Sequence, residues 1–150
     1  MSHFQQSVEV AAPIQHCFDQ WMRFEEFPLF MDHVKSVTRQ GNYFHWIVEG
    51  PLGSKVEWDA HMDGKMEDRL VSWHTLENAT VDNKGSVTFV EVSPGLTQVT
   101  TTMEYNPPAG VLGEAVAKLF SDPEVMVKQD LEKFKTLMET RSMAAAQSAM

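Results

Sequence analysis

Pro123-Glu124-Val125-Met126-Val127-Lys128-Gln129-Asp130-Leu131-Glu132-Lys133-Phe134-Lys135-Thr136-Leu137-Met138-Glu139-Thr140 decides the fold of this chain. Val127, Leu131, Phe134 and Met138 recur at spacings of 4, 3 and 4 residues, which puts them on one stripe of an α-helix. Upstream come one strand, a short helical stretch and a long series of strands. One long helix that follows a series of strands must cover a face of their sheet, and a curved sheet closed by a helix encloses space. Asp122 is a good N-cap for this helix, Pro123 suits its first position, and Ser121 with Glu124 has capping-box spacing. Gly113, Val116, Ala117 and Phe120 carry the apolar stripe further back, so helix is expected from near Val111 with a kink or restart at Ser121 to Glu124. Beyond Arg141 the amphipathic pattern stops. Residues 142–150 are therefore expected to form a frayed tail, leaving 1–141 as one domain.

In the N-terminal part, Phe4, Gln6, Val8 and Val10 alternate with His3, Gln5, Ser7 and Glu9, the period of a half-buried strand. Ala11-Ala12-Pro13 ends it, and Ile14, Cys17, Phe18 and Trp21 then follow at helical spacing to about Met22. Phe24 to Met31 is dense in large apolar groups but broken by Pro28, which predicts one further helical turn against the sheet. From Val34 onward strand follows strand. Phe44, Trp46 and Val48 share one face, as do Val56, Trp58, Ala60 and Met62 in the next strand, opposite Lys55, Glu57, Asp59 and His61. Turns are expected at Gly50-Pro51-Leu52-Gly53 and at Asp63-Gly64, then a strand over Leu70 to Thr75 and a polar connection from Asn78 to Gly85. Ser86 to Val92 and Thr97 to Tyr105 read as a hairpin around Ser93-Pro94-Gly95-Leu96, with Thr97, Val99, Thr101, Met103 and Tyr105 inward. Asn106-Pro107-Pro108-Ala109-Gly110 stops the sheet, because prolines cannot donate ladder hydrogen bonds.

Composition narrows the function. A net charge of −9 opposes long-range attraction to nucleic acid or anionic lipid, and the basic residues are dispersed. Lys128, Lys133 and Lys135 alternate with Asp130 and Glu132, which reads as a solvated, charge-paired helix face. No apolar run reaches the length of a membrane span, and Met1 to Gln6 lacks a secretory pattern, so a cytoplasmic location is expected. Cys17 is the single cysteine. It excludes an internal disulfide and reads as an inert core thiol.

The chemical candidates are few. His33, His45, His61 and His74 fall on separate segments without metal-ligand spacing, so no metal and no cofactor is expected. Asp59 and His61 share a strand face, but Trp58 and Met62 claim the inward side, which makes them a solvated pair. Glu25 and Glu26 are ordinary helix-end carboxylates beside the Phe27-Pro28 break. Arg23 is expected to pair with one of them rather than with a ligand carboxylate. No catalytic triad or phosphate-binding loop is present.

Several stretches carry a family resemblance: Val10-Ala11-Ala12-Pro13-Ile14, Trp21 through Met31, Gly50-Pro51-Leu52-Gly53, Trp58-Asp59-Ala60, Ser72-Trp73, Tyr105 through Gly110 and Asp130 through Lys135. Over about residues 4 to 140 the chain resembles the START-like (SRPBCC) superfamily, specifically its polyketide cyclase/dehydrase and coenzyme Q-binding group. The resemblance implies an α+β helix-grip fold: a curved antiparallel sheet of about seven strands around a long C-terminal helix, with two short helices after the first strand. It also implies a cavity between sheet and helix. Phe27, Phe30, Trp46, Trp58, Trp73, Phe89, Met103, Tyr105, Phe120, Val127, Leu131 and Phe134 are its expected lining. The expected function is non-catalytic binding or transport of a hydrophobic small molecule such as a quinone, lipid or polyketide. The alternative is a cyclase, aromatase or dehydratase, for which Tyr105, Arg23 and His74 would be the candidate catalytic groups. A third reading is a protein-interaction subunit with a collapsed cavity. The superfamily shares no catalytic motif that these stretches reproduce, and fold alone does not choose among its functions.

Overall fold

Strand β1 (Ser2–Val10) buries Phe4 and Val10, as its alternation requires. The computed structural model describes residues 2–49, 55–76, 82–106 and 122–148. After β1 come helix α1 (Ile14–Trp21) and a 3₁₀ helix (Phe24–Leu29) that contains Pro28. The following strands are β2 (Val34–Gln40), β3 (Tyr43–Glu49), β4 (Lys55–Met66), β5 (Leu70–Thr75), β6 (Asp82–Ser93) and β7 (Leu96–Asn106). The described residues end with helix α2 (Pro123–Ser148). The seven strands form one antiparallel sheet in the order β1-β7-β6-β5-β4-β3-β2. β1 pairs with the last strand, so α1 and the 3₁₀ helix bridge from one edge of the sheet to the other.

Three expectations are corrected. Asp63-Gly64 is not a turn: β4 runs on to Met66, with a bulge between Met62 and Gly64, and the chain reverses where Asp68 adopts a left-handed backbone (φ 59°). The polar connection ends earlier than expected, because Asp82 to Gly85 already belong to β6, held between β5 and β7. Gly85 is required there: a Cβ would lie 2.3 Å from the Thr102 carbonyl oxygen and 3.1 Å from the Trp73 indole. Helix α2 continues to Ser148 rather than fraying after Arg141, consistent with the high helix propensity of Ala144, Ala145, Ala146 and Gln147. The expected turn at residues 50–53, the sheet stop at 107–110 and the helical stretch from Val111 to Ser121 lie outside the described residues.

Helix α2 is anchored at both ends. At its start the Val125 N–H donates to Asp122 Oδ1 (3.2 Å) and the Met126 N–H to the Asp122 carbonyl (3.1 Å), as an N-cap should. Near the other end the Ala11 N–H donates to Glu139 Oε2 (2.8 Å), Lys135 Nζ donates to the Glu9 carbonyl (2.9 Å), and Arg141 reaches Gln20. Between these ties Leu131, Phe134 and Met138 are buried.

The interior is solid under one half of α2 and hollow under the other. Phe134 meets Trp21 and Phe30 with ring centroids 5.1 Å from each, and Trp21 meets Phe89 at 6.4 Å. Together with Val10, Cys17, Phe18, Val87 and Val99, these close-packed groups make up the core below the helix around Phe134 and beyond it. Thr97 Oγ1 donates to the Ala12 carbonyl (2.8 Å) inside it.

Candidate functional site: an apolar cavity under the terminal helix

Beneath the N-terminal half of α2 lies a cavity of about 150 Å³. Its roof is Pro123, Met126, Val127, Asp130 and Leu131 from α2, and one end is walled by Trp21, Phe24, Phe27 and Met31. The floor comes from the concave faces of β3 (Phe44, Trp46, Val48), β4 (Trp58, Ala60) and β5 (Val71, Trp73). Asn83, Thr101, Met103 and Tyr105 close the far side, and His33 and Val34 complete the rim, where His33 is exposed. Trp46 and Trp58 are opposite each other in the β3/β4 register and stack at 5.7 Å with an 8° interplanar angle, giving a flat aromatic wall. Phe27 leans on Trp46 (5.4 Å) and Phe24 on Phe44 (4.3 Å), so the 3₁₀ helix is held to the sheet by ring contacts.

Eight of the twelve expected lining residues are in the cavity wall: Phe27, Trp46, Trp58, Trp73, Met103, Tyr105, Val127 and Leu131. Phe30, Phe89 and Phe134 are corrected from lining to core; they are 0%, 3% and 0% exposed and fill the solid half. Their periodicity marked an inward face, and an inward face serves core and cavity alike. Phe120 lies outside the described residues. The candidate catalytic groups separate in the same way. Tyr105 lines the cavity, where burial pushes its phenol pKa up. Arg23 is exposed, 3.9 Å from Glu26 and 3.5 Å from Gln20 Oε1, and does not reach the cavity. His74 is on the solvent face of the sheet, its Nδ1 2.6 Å from Asp63 Oδ1. Asp59 and His61 do not pair with each other: Asp59 Oδ1 lies 2.9 Å from His45 Nδ1, and His61 Nδ1 is 3.1 Å from Asp63.

One group in the wall contradicts its expected role. Asp130 is not on a charge-paired solvent face; Lys133 pairs with Asp32 and Lys135 with Glu139, while the Asp130 carboxyl has no hydrogen bond or ion pair among the described residues. Burial pushes its pKa up to about 7. The signal was present in the spacing: Asp130 follows Met126 by four residues and Val127 by three, so it falls on the inward arc. Thr101 Oγ1 is also buried without a partner, and Asn83 Oδ1 accepts from the Trp73 indole N–H (2.9 Å). The cavity is thus an oily hollow with a few inward polar groups and, in Asp130, a carboxyl able to donate as well as accept a hydrogen bond near neutral pH.

A curved antiparallel sheet gripping a terminal helix over a hollow is the helix-grip architecture of the START superfamily, and solved structures of that class superpose on it. A START superfamily protein from Mycobacterium smegmatis matches with a TM-score of 0.70 at 17% identity, covering 90% of this chain and 97% of that one. The Zhui aromatase/cyclase from a Streptomyces species matches with a TM-score of 0.79 at 21% identity, covering 96% and 97%. An uncharacterised 17.2 kDa protein from Streptomyces lincolnensis is 31% identical over 94% of this chain and 92% of its own length. Residues 10–132 match the family model described as polyketide cyclase/dehydrase and lipid transport, and the chain belongs to that family.

Proposed function

We propose that this protein binds or carries a hydrophobic small molecule, such as a quinone, lipid or polyketide-like compound, in the cavity under α2, without converting it. The supporting observation is the hollow itself, about 150 Å³ with aromatic and aliphatic walls and a handful of polar groups. An apolar cavity of about this size accepts a single aromatic ring. Burying one ring contributes about 4–5 kcal/mol at roughly 25 cal/mol per Å², whereas micromolar affinity needs about 8 kcal/mol. A tight ligand therefore either extends beyond one ring, displacing the pliable Met31, Met103 or Met126 side chains, or uses Thr101, Tyr105 and Asp130 for a carbonyl or hydroxyl group. Entry is assigned to the 3₁₀ helix Phe24–Leu29, whose release breaks the ring contacts of Phe24 and Phe27 but leaves every sheet ladder intact. A filled interior, which the interaction-subunit reading needs, is at odds with this hollow. The cytoplasmic setting and the absence of a nucleic-acid partner are part of the same proposal.

The wall carries its own reporters in Trp46, Trp58 and Trp73. Titration with menadione, a small quinone, is expected to quench tryptophan fluorescence saturably, and Ala60→Leu, which fills the cavity, should weaken this at least tenfold. Linear, unsaturable quenching that is identical in the two proteins would overturn the reading. Native mass spectrometry of protein taken from its own host would then identify the resident molecule.

The inward Asp130 and Tyr105 favour a second reading, acid–base catalysis by a cyclase or dehydratase. In that case Asp130→Asn and Tyr105→Phe should each lower turnover of a poly-β-keto thioester by about a hundredfold or more while retaining menadione binding. A carrier would show no turnover in any of the three proteins.

A further inference from the structure

We propose that His61, Asp63 and His74, on the outer face of the sheet, form a binding site for a divalent transition-metal ion. His61 in β4 and His74 in β5 are direct cross-strand partners, with ring centroids 5.5 Å apart. The bulge between Met62 and Gly64 leaves Asp63 as the extra residue of β4, opposite no residue of β5, and its carboxylate turns onto both rings. One oxygen, Asp63 Oδ1, lies 3.1 Å from His61 Nδ1 and 2.6 Å from His74 Nδ1, so all three donor atoms already converge on one point. They lie within 4.8 Å of one another, and a small shift of the carboxylate would place an ion among them.

Two imidazoles and one carboxylate select for the first-row transition series and against calcium or magnesium, which require oxygen ligands. Asp63 is exposed and the two histidines are half-buried, so the cluster is open to an ion from solvent. Lys84, the β6 partner of His74, would oppose a cation, but its ammonium is 3.2 Å from Glu104 and engaged there. A second histidine cluster on the same face is unsuited. His45 presents Nδ1 to Asp59 and Nε2 to Glu57, so the two carboxylates lie against opposite ring nitrogens and cannot share an ion with the imidazole. The site is separate from the cavity and holds whether or not the proposed ligand binding is correct.

Calorimetric titration of the untagged full chain with copper(II), nickel(II), zinc(II) and manganese(II) chlorides tests the site. One saturable equivalent is expected, tightest for copper(II) and weakest for manganese(II). His61→Gln and His74→Gln should each weaken copper(II) binding at least about tenfold, with circular dichroism unchanged since both side chains are on the solvent face. His45→Gln should leave it as it was. The proposal is overturned by an absence of saturable binding, by His74→Gln binding as tightly as the unaltered protein, or by His45→Gln losing as much affinity as His74→Gln.

Discussion

Asp130 is the residue whose behaviour depends most on the fold. Its carboxyl titrates near 3.8 in an unfolded chain and at about 7 in the folded one, because burial disfavours the charge. A raised carboxyl pKa means that the folded state holds the proton more tightly. The neutral form is accommodated below about pH 4, and stability falls as pH rises toward 7, by at most about 4 kcal/mol. Asp130→Asn should therefore match the natural protein at pH 4 and exceed it at pH 8 in urea denaturation; equal stability at both pH values would mean that the carboxyl is well solvated. Phe134 illustrates the other side of α2. It is fully buried among Trp21 and Phe30, so Phe134→Ala is expected to destabilise by about 3–5 kcal/mol, a loss visible in thermal melting whether or not ligand is present. Cys17 behaves as its sequence setting suggested: burial, outweighing a hydrogen bond with Thr97, pushes the thiol up to about 11. Ellman's reagent should label it only once the protein unfolds, and rapid labelling of the native state would contradict that burial.

Among the elements, α2 and β6 show how local sequence and neighbours divide responsibility. The start of α2 is local. Asp122 caps the helix through the Val125 N–H, as its side chain and the following proline predict, and Asp122→Ala should lower stability by about 1 kcal/mol in chemical denaturation. The start of β6 is not local. Asn83, Lys84 and Gly85 have little strand propensity, yet they pair with Trp73 and His74 on one side and with Met103, Glu104 and Tyr105 on the other. Gly85 makes that possible by letting the β7 backbone and the Trp73 ring approach. Gly85→Ala is accordingly expected to destabilise by about 1–3 kcal/mol, measured by the same denaturation. The bulge at Asp63 is a similar case: Asp-Gly is a turn signal, but with β5 alongside, pairing at Met62 and again at Gly64, the ladder passes through it as an irregularity.

For the whole molecule, the period-two and helical repeats determined which residues face inward, the order of strands and helices, and hence the sheet closed by a helix. Those are properties of side-chain spacing along the chain, and they need no knowledge of partners. The repeats also put Trp46, Trp58, Met103 and Leu131 of the cavity wall on inward faces, because lining and core residues share one apolar face, while the cavity itself was an expectation from the family resemblance. What they left open is where that face is filled and where it is empty. That division follows from the three-dimensional volumes of Trp21, Phe30, Phe89 and Phe134, which meet beneath one half of α2 and not the other. Tertiary structure likewise decided that the inward arc carrying Asp130 meets the hollow and not the solid core, and that His61, Asp63 and His74 meet through register across two strands. Spacing along a chain specifies a face; only packing between elements specifies distance, and both a cavity and a cluster of ligating atoms are matters of distance.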